Sequence, residues 1–104
     1  MPLSITWTRT AHSEMAERIE HARQRCERVA HALATRIFTA LERASAFPKI
    51  APAWNRVDDD AFRRLVVDQH VVIYFVAPDA ATLLVLSVRH GRQRPAEPAD
   101  IENR

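Results

Sequence analysis

The sequence predicts an α+β fold: an N-terminal strand, then a helical hairpin packed on a small, mainly antiparallel sheet. Three observations lead there. Residues 70–76 (His-Val-Val-Ile-Tyr-Phe-Val) and 82–88 (Thr-Leu-Leu-Val-Leu-Ser-Val) are dense in β-branched and aromatic residues and are bounded by turn formers, the pattern of paired antiparallel strands. Apolar residues recur every three or four positions from Met15 to Leu41, and no Gly or Pro intervenes before Pro48, which is the helical period. Leu3, Ile5 and Trp7 alternate with Ser4, Thr6 and Thr8, which is the period of a half-buried strand.

The elements follow in order. After the first strand, Thr10 or Ser13 is the expected helix N-cap, with Glu14 and Glu17 in the first turns. The apolar stripe then runs through Met15, Ile19, Ala22, Cys26, Val29, Ala30, Leu33, Ile37, Phe38 and Leu41. A single helix from Ser13 to Ala46 would be ~50 Å long at ~1.5 Å per residue. A domain of about 100 residues has a radius of gyration of only ~13 Å. A hairpin satisfies both, with its break expected in the polar stretch Gln24-Arg25-Cys26-Glu27. Phe47-Pro48-Lys49-Ile50 ends the helical region, because proline disfavours helix in the residue before it. A loop carries Trp54 and the acidic run Asp58-Asp59-Asp60. Residues 62–67 form a strand, Asp68-Gln69 a two-residue turn, and Pro78-Asp79-Ala80 the turn between the last two strands. Residues 1–95 form one domain on this reading, and 96–104, polar and interrupted by Pro98, form a loose tail. The expected core comprises Leu33, Ile37, Leu41, Leu65, Val72, Tyr74, Leu84 and Leu86.

Composition narrows the function. The 104 residues suit a single domain with one modest core. The net charge is +2 and the isoelectric point lies above nine, a mild bias toward anionic partners rather than the charge of a nucleic-acid-coating protein. Arginine supplies almost all of the cationic charge, since Lys49 is the only lysine. A single cysteine, Cys26, excludes an internal disulfide and a cysteine metal cluster, and is read as a small buried apolar residue. The N-terminus lacks a basic segment followed by an apolar run, and no apolar stretch reaches membrane-spanning length. The expectation is a soluble cytoplasmic protein with no membrane partner.

The chemistry-bearing residues cluster at strand ends. Arg89-His90-Gly91-Arg92-Gln93-Arg94 follows the last strand, and Gly91 is the only glycine. Arg64, Arg89, His90, Arg92 and Arg94 are the candidate partner-binding residues. The competing reading is that they solvate strand ends or pair with Asp58, Asp59 or Asp60. His90, beside three arginines, is the side chain that could serve as a general base. The acidic run lacks the glycine and distal glutamate of a calcium loop, and His12, His21 and His31 do not share a helix face, so no metal and no cofactor is expected. Glycine is too scarce for a phosphate-binding loop, and Ser13, Ser45 and Ser87 lack a nucleophile-elbow context.

The order of these segments resembles the RelE/ParE family of toxins from bacterial type II toxin–antitoxin systems. Phe47-Pro48-Lys49-Ile50 resembles the family's helix-end segment. Arg64-Leu65-Val66-Val67 and Val72-Ile73-Tyr74-Phe75-Val76 resemble its central strands, and Leu84 to Arg92 its last strand and basic exit. The resemblance spans roughly Ile5 to Arg94. It implies a cognate antitoxin whose C-terminal segment, often acidic, wraps the helix groove or a sheet edge near the last strand. It leaves both a homodimer and a toxin–antitoxin hetero-oligomer open. RelE-like members cut messenger RNA at the ribosome, and ParE-like members poison DNA gyrase. RelE-like nucleases commonly use lysines, arginines and a C-terminal tyrosine. The present chain has no tyrosine after Gly91, and its His-Gly-Arg exit is more similar to the ParE branch. The resemblance therefore implies a gyrase inhibitor neutralised by an antitoxin. The alternatives are a ribosome-dependent endonuclease, in which Arg64, His90 and Arg92 would be the catalytic candidates, and a non-toxic interaction module of the same fold.

Overall fold

The computed structural model describes residues 2–77, 79 and 81–101. Strand β1 (Ser4–Trp7) leads directly into helix α1 (Arg9–Arg25), α2 (Glu27–Ala46) follows, and β2 (Phe62–Val67), β3 (His70–Ala77) and β4 (Thr82–His90) complete the sheet. The strand order is β1-β4-β3-β2. β2, β3 and β4 form an antiparallel meander, while β1 lies parallel to β4, pairing Ser4–Trp7 with residues 82–85. The α+β architecture is the one expected, and the radius of gyration is 13.2 Å. Among the described residues no helix is long and apolar enough to cross a membrane.

The helical run breaks at one residue. Cys26 adopts an extended backbone (φ −173°, ψ 132°), and its N–H still donates to the Ala22 carbonyl, closing α1 as α2 begins. This break re-phases the stripe, so Cys26, Val29 and Phe38 are exposed rather than buried. Met15 and Ala22 of α1 meet Ala30, Leu33, Ile37 and Leu41 of α2 over one face of the sheet. The N-cap is Thr8, not Thr10 or Ser13: its Oγ1 accepts from the Ala11 N–H at 3.0 Å. The helix starts earlier than expected because no loop separates it from β1.

Of the expected core, Leu33, Ile37, Leu41, Val72, Tyr74 and Leu86 are buried, whereas Leu65 and Leu84 are only partly so. Leu65 lies in an edge strand. Leu84 points away from the helices, where Leu83 and Val85 fill the helix-side core. A register shift explains the rest: Tyr74 pairs with Val85 but Ile73 pairs with Ser87, so Leu86 is the extra residue of a β-bulge.

The sheet has a second core on its far face, built from Trp54, Phe62, Ile73, Leu86 and Ala96. The 47–61 linker reaches it by pairing along the outer edge of β2: Trp54 N–H donates to Phe62 O at 2.8 Å, and Arg64 N–H to Pro52 O at 2.9 Å. Two β2–β3 partners, Arg63 and Tyr74, anchor this linker. The buried Tyr74 hydroxyl donates to Pro48 O at 2.7 Å, and burial raises its pKa against the opposing charge of Arg63. Buried Arg63 donates to the carbonyls of Ala51 (3.0 Å), Asp60 (3.0 Å) and Lys49 (3.4 Å).

The segment beyond Pro95, expected as a loose tail, is docked as far as it is described. Ala96 is buried, Ile101 packs on the far-face core, Glu97 pairs with Arg56, and residues 98–100 form a 3₁₀ turn. Long-range ion pairs and a small apolar contact hold it, neither of which has a local sequence pattern. Residues 102–104, and Pro78 and Ala80 of the expected β3–β4 turn, lie outside the described residues.

Leu41 is fully buried between helix and sheet, so Leu41→Ala is expected to cost about 2–5 kcal/mol in a urea melt. Tyr74→Phe leaves the Pro48 carbonyl without its donor and is expected to cost about 1–3 kcal/mol. Hydrogen exchange in that variant should rise first in the 47–61 linker.

Candidate functional site

The expected site residues separate into two groups once the chain is folded. Arg89 is directed inward. Its Nε donates to Glu14 Oε2 at 3.2 Å, its Nη1 to Arg94 O at 2.9 Å, and its Nη2 lies 3.7 Å from Asp100 Oδ2. Glu14 also accepts from the Val88 N–H at 2.9 Å, so one carboxylate caps the open side of β4 and holds Arg89. β4 itself is not a sheet edge, since it lies between β1 and β3; the edges are β1 and β2. Arg94 pairs with Asp100 at 3.1 Å, and that hydrogen bond lowers the carboxyl pKa. The arginines therefore pair with Glu14 and Asp100, not with Asp58, Asp59 or Asp60, while Asp60 faces Lys49 at 3.4 Å.

Arg64 and Arg92 are exposed, and both border the shallow surface around Val66, Val71 and Gly91. Among the described residues neither side chain has a hydrogen bond or ion pair. His90 stands between them with both ring nitrogens engaged. The Arg92 N–H donates to Nδ1 at 3.0 Å, which places the ring proton on Nε2, 3.1 Å from Gln69 Oε1. In this tautomer the lone pair a general base would use is already occupied. Gly91 N–H donates to Gln69 O at 2.7 Å, and a Cβ at Gly91 would sit 3.3 Å from that same oxygen. The close crossing of the exit over the β2–β3 turn is why the only glycine stands here.

Arg64, His90 and Gly91 also border a cleft of about 510 Å³ on the far face of the sheet. Trp54, Ile73 and Ala96 form its apolar part, and Arg64, Arg56 and the His90 edge its polar part. Arg56 is already bound to Glu97. The Ser87 hydroxyl, on the bulge, is buried with no hydrogen-bond partner among the described residues. The cleft can hold an apolar segment against Trp54 and meet negative charge at Arg64. Tyr74, the only tyrosine, is on the opposite face and committed to Pro48.

A second basic feature lay outside the sequence expectations. A cleft of about 670 Å³ opens between the helical hairpin and the β2–β3 turn, with Arg18, Arg25, Arg36, Arg92 and His70 among its walls. Three of these arginines come from helix faces, where isolated charges read as solvated. Their convergence depends on how the closed hairpin sits against the β2–β3 turn, which no local spacing reveals.

The chain resembles, over 86% of its length and 99% of the other chain, a toxin–antitoxin complex structure, RelBE2 from Mycobacterium tuberculosis, with a TM-score of 0.60 at 16% identity. It resembles a chain of the chromosomal ParDE system of P. aeruginosa over 85% of its length and 95% of the other, with a TM-score of 0.60 at 15% identity. At these identities the likeness is one of fold. A search of curated protein sequences returns no match. The family model described as "ParE toxin of type II toxin-antitoxin system, parDE" matches residues 5–95. That span takes in both helices, β1 from Ile5 onward, β2 to β4 and the basic exit, and the chain belongs to this family of toxins.

Proposed function

We propose that the protein is a ParE-type toxin that acts in the cytoplasm, inhibits DNA gyrase when free, and is silenced by a cognate antitoxin. One observation carries the choice against RNA cleavage. Cleaving RNA needs one group to take the 2′-hydroxyl proton and another to protonate the leaving oxygen. On the far face each group able to do so is engaged: His90 Nδ1 accepts the Arg92 N–H, and Arg89 is bound to Glu14. Tyr74 is buried on the other side of the sheet, and Lys49 faces Asp60. What remains is charge without acid–base function at Arg64 and Arg92, which suits binding to a protein target.

For the antitoxin, the reading is supported by the groove between α2 and the free end of β2. Exposed Val66 and Ile50 form its apolar wall, and Arg36 and Arg43 rim it. The β2 backbone beyond Arg64 lies past the stretch the linker covers, and can receive an added strand. An apolar segment with acidic residues complements this surface.

Purified toxin should inhibit supercoiling by gyrase and leave messenger RNA intact in a translation assay. Arg64→Ala and Arg92→Ala should each weaken the inhibition while the protein stays folded, whereas Arg89→Ala should act by lowering the melting temperature. Codon-dependent cleavage abolished by His90→Ala or Arg92→Ala would replace this reading with a nuclease, and inactivity of folded, antitoxin-free protein in both assays would leave an interaction module. For antitoxin binding, Val66→Glu should accelerate dissociation. Arg43→Glu, on the rim, should mainly slow association and reduce its salt dependence, as measured by surface plasmon resonance.

A further inference from the structure

We propose that the cleft between the helical hairpin and the β2–β3 turn binds an anion bearing two or more phosphate groups. The first argument is charge. Arg18 and Arg25 of α1, Arg36 of α2 and Arg92 of the exit converge on one concavity. Asp68 is the only acid among its walls, and Arg36 already holds it. Among the described residues the side chains of Arg18, Arg25 and Arg92 have no hydrogen bond or ion pair, so three cations share one space without a counter-charge. An anion entering this concavity would meet all three, and guanidinium forks are suited to phosphate oxygens.

The second argument is independent of charge. His70 lines this cleft with only 9% of its surface exposed, and its Nδ1 is buried with no hydrogen-bond partner among the described residues. Its ring stands edge-on to His90, with centroids 5.1 Å apart. A buried polar atom without a partner is uncommon, and it is expected where a ligand or ordered water supplies the missing group. Burial, joined by the neighbouring His90 and Arg18, holds the His70 pKa below the ordinary histidine value, and Asp68 opposes them. An anion beside it would reverse that balance and let the ring donate.

The third argument is shape. The volume of about 670 Å³ accommodates a nucleotide-sized ligand. The apolar walls are Ala22, Val29 and Leu33, and no Phe, Tyr or Trp is present to stack a base. The site therefore reads the charged part of its ligand. A single carboxylate would leave two of the three arginines unmatched, whereas a diphosphate or two neighbouring backbone phosphates engage all of them.

The test is a titration of the full-length protein with inorganic pyrophosphate at low ionic strength, followed by NMR. Saturable shifts of the His70, Arg18 and Arg92 signals are expected, with affinity reduced about tenfold or more in Arg18→Gln and in Arg92→Gln. Arg9→Gln, outside the cleft, should leave affinity unchanged. If Arg92→Gln loses spectral dispersion, Arg25→Gln at the exposed end of α1 takes its place. A single-stranded oligonucleotide that displaces pyrophosphate would identify the source as nucleic-acid backbone, and failure to displace it would identify a small phosphorylated metabolite. Both outcomes uphold the proposal. It is overturned if shifts fall elsewhere, if affinity survives Arg18→Gln and Arg92→Gln, or if a glutamate-rich peptide moves these signals and pyrophosphate does not.

Discussion

The far side of this molecule depends on one cross-strand pair. Arg63 and Tyr74 face each other across β2 and β3, and the polar ends of both reach into the linker that leaves α2. Their four hydrogen bonds end on carbonyls of residues 48, 49, 51 and 60. A linker without regular structure has many carbonyls to satisfy, and burying them is costly unless donors are supplied. Arg63 supplies three donors in a planar fork, and Tyr74 supplies one at the base of the loop. With the linker held, Trp54 lands on Phe62 and Ile73, and the sheet acquires a second core. The Tyr74 ring belongs to the helix-side core, while the polar ends of the pair fix the linker on which the face carrying Arg64 depends for its shape.

Charge completes what the linker begins. Glu14 joins α1 to β4 through the Val88 amide and Arg89, and Asp100 joins the same arginine to the C-terminal segment. Arg56–Glu97 ties that segment to the linker. These pairs are partly exposed, so each contributes modestly. Their value is positional, since they decide which arginines are drawn inward and which are left facing solvent.

Much of the fold was legible in the sequence because the strands carry strong local signals. The β2 limits and the Asp68-Gln69 turn are written in residue type, and Asp68 takes the positive φ of 54° that such a turn needs. The helix break falls in the one stretch polar on all sides, and its position was legible for that reason. The parallel pairing of β1 with β4 was not, because four residues fix no partner at a distance of almost 80 positions. For the site, sequence grouped Arg89 and Arg94 with Arg64 and Arg92 by proximity along the chain. Folding divides them by the position of acids as remote as Glu14. The same limitation hid Arg63, whose role rests on carbonyls 12 and 14 positions away. It also hid Arg18 and Arg36, which look like surface charge until the hairpin closes.

The two clefts are not separate rooms. His90 and Gln93 line both: the His90 backbone N–H donates to Gln93 Oε1, while the Arg92 N–H donates to Nδ1 and Nε2 donates to Gln69 Oε1, so the imidazole is a shared partition. A guest that rotates this ring on one side removes a surface from the other. By thermodynamic reciprocity, whatever free energy one occupant gains or loses from the ring's displacement is imposed equally on the second. Two ligands that never touch would thereby sense each other through a single histidine, and the molecule could register both occupancies without any movement of its helices.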